Sequence, residues 1–341
     1  MNELTRGSAV RHLRRVGLLS PGADPDCRWL GGGVSNRVLA VRWADTCVVV
    51  KQPLANLAVD DDWPADRQRV HNEAVAMRAY AKILEHTGVT GVAVPEVLDE
   101  SHEDHLLVMA CAPEQTGPWK DALLDGDVDV SVAERLGEVL STVHTTASAD
   151  ESLRQQFPDD RPFEQLRIEP YHRTTARRHP DVAEFITAEI DRISAVRQTL
   201  VHGDFSPKNV LVHDDAGTPP VWLIDFEVAH WGDPAFDTAF LLNHLFIKAV
   251  FNHTCSASYI DAAMRFYDTY RSNVPWDIEP ATARELAVLM LARIDGKSPV
   301  EYITDARIAS TLRELAKHAL KADIADVETY ASSVKEVADT L

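Results

Sequence analysis

Residues 28–52 carry the two-residue period of a sheet. "RWLGGGVSNRVLAVRW" holds a glycine cluster followed by the alternation of "RVLAVRW"; "WADT" supplies turn residues, and "CVVVKQ" reads as a buried strand. "PLANLAVDDDWPADRQ" follows as a loop. A helix is expected from about 66 to 86, where Val70, Ala74, Met77 and Ala81 recur at three- and four-residue steps. "VAVPEVLDE" and "HLLVMAC" read as two more strands. Ahead of all this, "MNELTRGSAVRHLRRVGLLS" has basic residues but no continuous apolar block, so it reads as an amphipathic helix rather than a signal peptide.

From about residue 117 the period lengthens. "VSVAERLGEVLSTVHTTA" puts Val132, Leu136, Val139, Leu140 and Val143 on one helical face. Two short strands, "NVLVH" and "VWLID", flank "DDAGTPP", a hairpin-like interruption. The stretch 235–341 is mostly helix, broken at "NVPWDIEP" and "DGKSP". The pattern predicts an α+β chain of two lobes: a small sheet-rich N-terminal lobe over 1–112 and a larger, mainly helical C-terminal lobe over 113–341. A cleft between lobes is a usual place for a ligand.

Composition narrows the partners. At 45% apolar content, 341 residues can bury a substantial core, and no stretch approaches the roughly 18 consecutive apolar residues of a membrane span. A net charge of −19 lacks the basic footprint of a general nucleic-acid binder. Nine lysines stand against 25 arginines and 53 acids. An acidic, lysine-poor surface stays soluble in strong salt; a salt-loving source and a GC-rich genome both account for the bias. Cys27, Cys47, Cys111 and Cys255 are scattered with no CxxC, which predicts reduced thiols and a cytoplasmic protein.

One turn concentrates chemistry. "VHGDFSPKNVLV" sets His202, Asp204, Lys208 and Asn209 between two apolar runs, and "VWLID" then brings in Asp225. An acid, an amide five residues on, and a second acid after another strand suit phosphoryl transfer. One carboxylate accepts the proton of an attacking hydroxyl, while the amide and the other carboxylate hold Mg²⁺.

In these residues the chain resembles the protein-kinase-like small-molecule kinases related to aminoglycoside phosphotransferases, choline kinases and methylthioribose kinases. "HGDFSPKN" is similar to their HGDxxxxN loop, "IDFE" to their metal-binding segment, and "GDPAFD" to the GDPxxD of the phosphotransferase group; the resemblance covers roughly 28–245. It implies a kinase-like fold, with Asp204 as the catalytic base and Asn209 and Asp225 as metal ligands. Glu227, two residues along an extended segment, points the same way as Asp225 and is expected at a second ion. His202 orients the loop, and Asp237 ties loop amides. Ser206, not a lysine, stands two residues after the base, which disfavours protein substrates.

The same resemblance implies ATP binding in the first lobe. Lys51, ending an apolar strand, reaches the α- and β-phosphates and pairs with a helix glutamate, Glu73. "GGGVSNR" is the loop over the phosphates, with Gly31, Gly32, Gly33, Ser35 and Asn36 as contacts. Met109 to Cys111 offer backbone groups to adenine. "GKS" at 296–298 is not a P-loop, because Leu291 stands where the first glycine belongs.

The acceptor is a small molecule with a hydroxyl. "VVVKQPLANLAVDDDWPADRQRVHNEA" looks like the methylthioribose kinase segment from strand lysine to helix glutamate. Asn209 and the GDPxxD form depart from that group, so the chain reads as sugar kinase-like, with methylthioribose as one candidate. His230, Trp231 and Arg293 are the expected substrate contacts, and the resemblance allows a homodimer. An aminoglycoside-type phosphotransferase and a catalytically silent nucleotide-binding regulator are the alternatives.

Overall fold

The computed structural model describes residues 3–31, 33–58, 62–213 and 221–341. The first lobe holds strands β1 (Asp26–Trp29), β2 (Asn36–Trp43), β3 (Thr46–Pro53), β4 (Val92–Ala93), β5 (Val97–Ser101) and β6 (Leu106–Ala110). All but β4 form one antiparallel sheet in the order β1-β2-β3-β6-β5. Its two faces follow the two-residue period. Leu39, Val41, Val48, Val50, Leu106 and Val108 meet Leu4 and, from helix α1 (Arg6–Arg15), Ala9 and Leu13; the helix opens on a Thr5/Ser8 capping box. Val49, Leu107 and Met109 belong to the other face, the side of helix α2 (Arg69–Thr87).

Helix α2 buries Val70, Ala74, Met77, Tyr80, Ile83 and Leu84, and stops where Gly88 turns left-handed at φ 72°. Ala81, expected on the buried stripe, is exposed; Tyr80 takes the place, one residue back and about 100° round the helix.

Cys47 and Cys111 form a disulfide with Cα atoms 5.4 Å apart, which corrects the expectation of reduced thiols. The pairing has a simple cause: Val48 lies opposite Ala110 in the β3–β6 ladder, so the flanking cysteines are neighbours. Cys27 and Cys255 are free.

The second lobe is mainly helical: α3 (Trp119–Leu124), α4 (Val130–Ser148), short turns α5 (Glu151–Arg154) and α6 (Arg161–Phe163), then a wide π-helical stretch, Glu164–Arg173, running into α7 (Thr174–Arg178) and α8 (Ala183–Ala195). After these come α9 (Pro234–Phe251), α10 (Ser256–Ser272), α11 (Glu279–Asp295), α12 (Ala306–Lys321) and α13 (Val327–Asp339). Helix α4 buries the expected face, from Val132 to Val143, behind an Asp129 cap. Helix α9 is apolar nearly all round and fully enclosed, as a central core helix must be. Among the described residues no helix is long and apolar enough to cross a membrane.

Small ladders position the loops. Strands β7 (Thr116–Pro118), β9 (Val210–His213) and β10 (Val221–Leu223) join β4 in the order β4-β10-β9-β7, and β8 (Thr199–Val201) pairs with β11 (His230–Gly232). The "DDAGTPP" turn between β9 and β10 lies outside the described residues; the strands it joins pair antiparallel.

Candidate active site

The loop between β8 and β9 is fixed from behind. Asp237, in the first turn of α9, accepts hydrogen bonds from the backbone N–H of His202 at 2.7 Å and of Gly203 at 2.8 Å. Gly203 has φ 76°, and a Cβ there would sit 2.6 Å from the Val228 carbonyl oxygen, so only glycine lets the loop turn against the next segment. Burial pushes the His202 ring below its usual pKa, and its Nδ1 accepts from the Asp204 N–H at 3.2 Å.

Asp204 is buried and surrounded by donors. Arg167 lies 2.8 Å from one carboxylate oxygen. Lys208 at 2.9 Å and the Asn209 amide nitrogen at 2.7 Å approach the other. Burial opposes its ionisation, but Arg167 and Lys208 outweigh burial and hold the carboxyl below the usual carboxylate range. Asn209 also donates to the Asp204 carbonyl at 2.9 Å, which leaves its amide oxygen as the end available to a cation.

Asp225 follows β10. The N–H of Ile224 donates to the Asn209 carbonyl at 3.0 Å, which sets Asp225 beside the loop carrying Asn209. Asp225 adopts φ 69°, a left-handed conformation that costs a non-glycine residue about 1–2 kcal/mol and recurs at functional sites. Its side chain keeps 22% exposure while an oxygen lies 2.5 Å from Lys51 Nζ. Here too burial raises the carboxyl and Lys51 and Lys208 outweigh it, leaving Asp225 ionised.

Lys51 turns inward and spans the lobes, 2.8 Å from Glu73 on α2 and in contact with Asp225. Burial, then Asp225 and Glu227 against the partial relief from Lys51, push Glu73 up to about 7. The part-exposed Asp225 carboxylate and the Asn209 amide oxygen form an all-oxygen donor set that fits a hard divalent cation such as Mg²⁺.

The remaining expected residues divide. Ser35 and Asn36 lie where the glycine loop enters β2; Gly31 and Gly33 are exposed with open space around them, and Gly32 lies outside the described residues. Glu227 is drawn to this loop rather than to Asp225: it accepts from Asn36 at 3.1 Å and from Arg69 Nε at 2.8 Å. Arg69 also donates to the carbonyls of Ser35 and Leu54, at 2.7 and 2.9 Å. Met109 is a buried strand residue. The Cys111 N–H is committed to the Cys47 carbonyl at 3.2 Å, so it is not free for a base; among the described residues Ala112 N–H is free.

His230 and Trp231, expected as substrate contacts, are both buried, at 2% and 4% exposure. Pairing of β11 with β8 turns them inward; His230 stacks on Phe163 at 4.1 Å, bonds the Val228 carbonyl at 3.0 Å, and is pushed down to about 4 by burial. Arg293 is also buried, hydrogen-bonded to Tyr171 at 3.2 Å and to the Ser298 hydroxyl at 3.0 Å. Arg167 and Arg69 went unread in the sequence. Arg69 sits four residues before Glu73, a helical spacing that puts both on one face; Arg167 has no comparable local signal.

The sequence profile of the phosphotransferase enzyme family matches residues 26–274. No curated protein gives a significant sequence match. Among solved structures, a microcompartment-associated aminopropanol kinase superposes with a TM-score of 0.57 at 12% identity, covering 94% of this chain and 99% of its own. A spectinomycin phosphotransferase in complex with ADP and spectinomycin gives 0.53 at 13% identity, over 98% and 100%. An amicoumacin kinase in complex with AMP-PNP, Ca²⁺ and Ami gives 0.53 at 14%, over 92% and 93%.

Proposed function

The chain belongs to the phosphotransferase enzyme family, and on that premise we propose that it transfers the γ-phosphoryl group of ATP to a hydroxyl of a small, sugar-like molecule. The observation that carries this is Lys51 reaching across from β3 to Asp225, beside an ionised, buried Asp204. ADP and AMP-PNP in the structural neighbours support an adenine nucleotide as donor.

Asp204 orients the acceptor hydroxyl and takes its proton. The hydroxyl oxygen forms a bond to the γ-phosphorus as the bond to the β-phosphate oxygen breaks, and ADP leaves. Arg167 makes Asp204 a weak base, which suits a loose transition state in which the proton departs late. Lys51 steadies the α- and β-phosphates, and Glu73 steadies Lys51. Asn209, through its amide oxygen, and Asp225 would hold Mg²⁺, which would supply charge neutralisation at the phosphates. Glu227 serves the glycine loop through Arg69 and Asn36. Ala112 replaces Cys111 as the backbone donor to adenine.

Acceptor-dependent ADP release, measured with ATP and Mg²⁺ over sugars, methylthioribose, amino alcohols and amino sugars, tests the reading. Asp204→Asn is expected to lower kcat by about 10²–10⁴-fold with nucleotide affinity retained. Silence across the panel, or full activity in the variant, would overturn it.

A further inference from the structure

Among the described residues, five lysines and arginines are buried: Lys51, Arg69, Arg167, Lys248 and Arg293. Three have carboxylate partners, in Glu73 and Asp225, Glu227, and Asp204 respectively. Lys248 and Arg293 pair with no carboxylate of the described residues. A buried cation without a counterion is costly, and a chain with 53 acids has no shortage of them.

Lys248 lies on α9 and is 1% exposed. Its Nζ has only long contacts to neutral oxygens, 3.5 Å to the His244 carbonyl and 3.4 Å to the Tyr302 hydroxyl, and it lies 5.0 Å over the Tyr302 ring. Burial, reinforced by Lys120 and Arg293, pushes its pKa down to about 7. Among the described residues the acid that acts on Lys248 is Glu301, and it is engaged by Lys120. Arg293 donates to Tyr171 and Ser298, and its Nε has no partner among the described residues.

These cations belong to the neighbourhood of Asp204. Arg293 and Arg167 both lie over the Tyr171 ring, at 5.6 and 5.4 Å, and Arg167 is the residue that holds Asp204. Lys248, Arg293, Lys208 and Lys120 all act on the neutral, buried His244, one turn from Lys248 on α9. The interior around His244 and Tyr171, next to the Arg167 that holds Asp204, is thus positive, although the molecule as a whole is strongly negative.

We propose that the acceptor carries an anionic oxygen group, a carboxylate or a phosphate, which docks on Lys248 and Arg293 while its hydroxyl faces Asp204. The proposal rests on the kinase reading and narrows its acceptor to hydroxy acids or sugar phosphates. A neutral sugar such as methylthioribose leaves both cations unpaired, and an amino sugar adds a further positive charge beside them.

The test compares matched acceptors with ATP and Mg²⁺: D-gluconate and D-glycerate, D-ribose 5-phosphate and glycerol 3-phosphate, against D-glucitol, glycerol, D-ribose, D-glucosamine and methylthioribose. At least one anionic acceptor is expected to exceed its uncharged counterpart by about tenfold or more in kcat/KM, a gap of about 1.4 kcal/mol. The carboxylate and phosphate arms separate the two sources. Lys248→Met and Arg293→Gln are each expected to erase most of that gap through KM, leaving the KM for ATP unchanged. Thermal shift with the same compounds reads anion binding without turnover, and binding of a fluorescent ATP analogue checks the nucleotide site separately. Loss of nucleotide binding sinks the kinase reading. Intact nucleotide binding with a neutral or cationic preference, no response to any anion, or discrimination that survives both substitutions overturns the anionic acceptor alone.

Discussion

Glu73 holds its proton up to about pH 7, whereas an exposed glutamate loses it near 4.5. Between those values the folded chain binds more protons at this residue than the unfolded chain does, so the contribution of Glu73 to stability falls as pH rises through the window. Glu73→Gln keeps the shape and cannot titrate. The melting temperature of the variant relative to the parent is therefore expected to rise from pH 5 to pH 7, by about 5 °C. A difference that stays flat or falls contradicts this. That Asp204, Asn209 and Asp225 come together was legible because each lies inside a short run of fixed spacing. Arg167 was not, because its partner stands 37 residues away and the wide helix around Pro170 has no regular period. His230 and Trp231 stood out through nearness in sequence to Asp225; their burial beside β8 depends on a two-stranded pairing that the sequence does not display.

At the level of elements, strands of eight residues such as β2 and β3 announced themselves by alternation, and the long helices by their apolar stripes. The two- and three-residue strands β4, β7, β8 and β11 are too short to display a period, yet they flank the loop of Asp204 and the segment of Asp225. Helix contacts were equally silent. Gly137, inside α4, lets α10 approach so closely that a Cβ would lie 2.5 Å from the Phe266 carbonyl oxygen. Gly137→Ala gains helix propensity of about 1 kcal/mol, but the obstacle is backbone and cannot swing aside. A net loss of about 1–2 kcal/mol in denaturant unfolding is expected, and a stabilised variant would show that the two helices can part without cost.

For the molecule as a whole, two lobes and a strongly acidic balance were readable from pattern and composition; the Cys47–Cys111 bridge was not, because it depends on which strands become neighbours. With −19 net charge, self-repulsion weakens the folded state at low ionic strength. Raising KCl from about 0.1 to 2 M shrinks the Debye length from about 10 Å to under 3 Å and is expected to raise the melting temperature by about 5 °C or more. That outcome favours a salt-adapted source for the arginine bias; an unchanged or lower value favours genome composition. The fastening of Ser35, Leu54 and Asn36 to Arg69 and Glu227 has a consequence for how the lobes separate. Arg69 and Asn36 belong to the first lobe and Glu227 to the second, so these few polar contacts bind the start of β2 to the segment after Asp225, and any parting of the lobes there has to break them together.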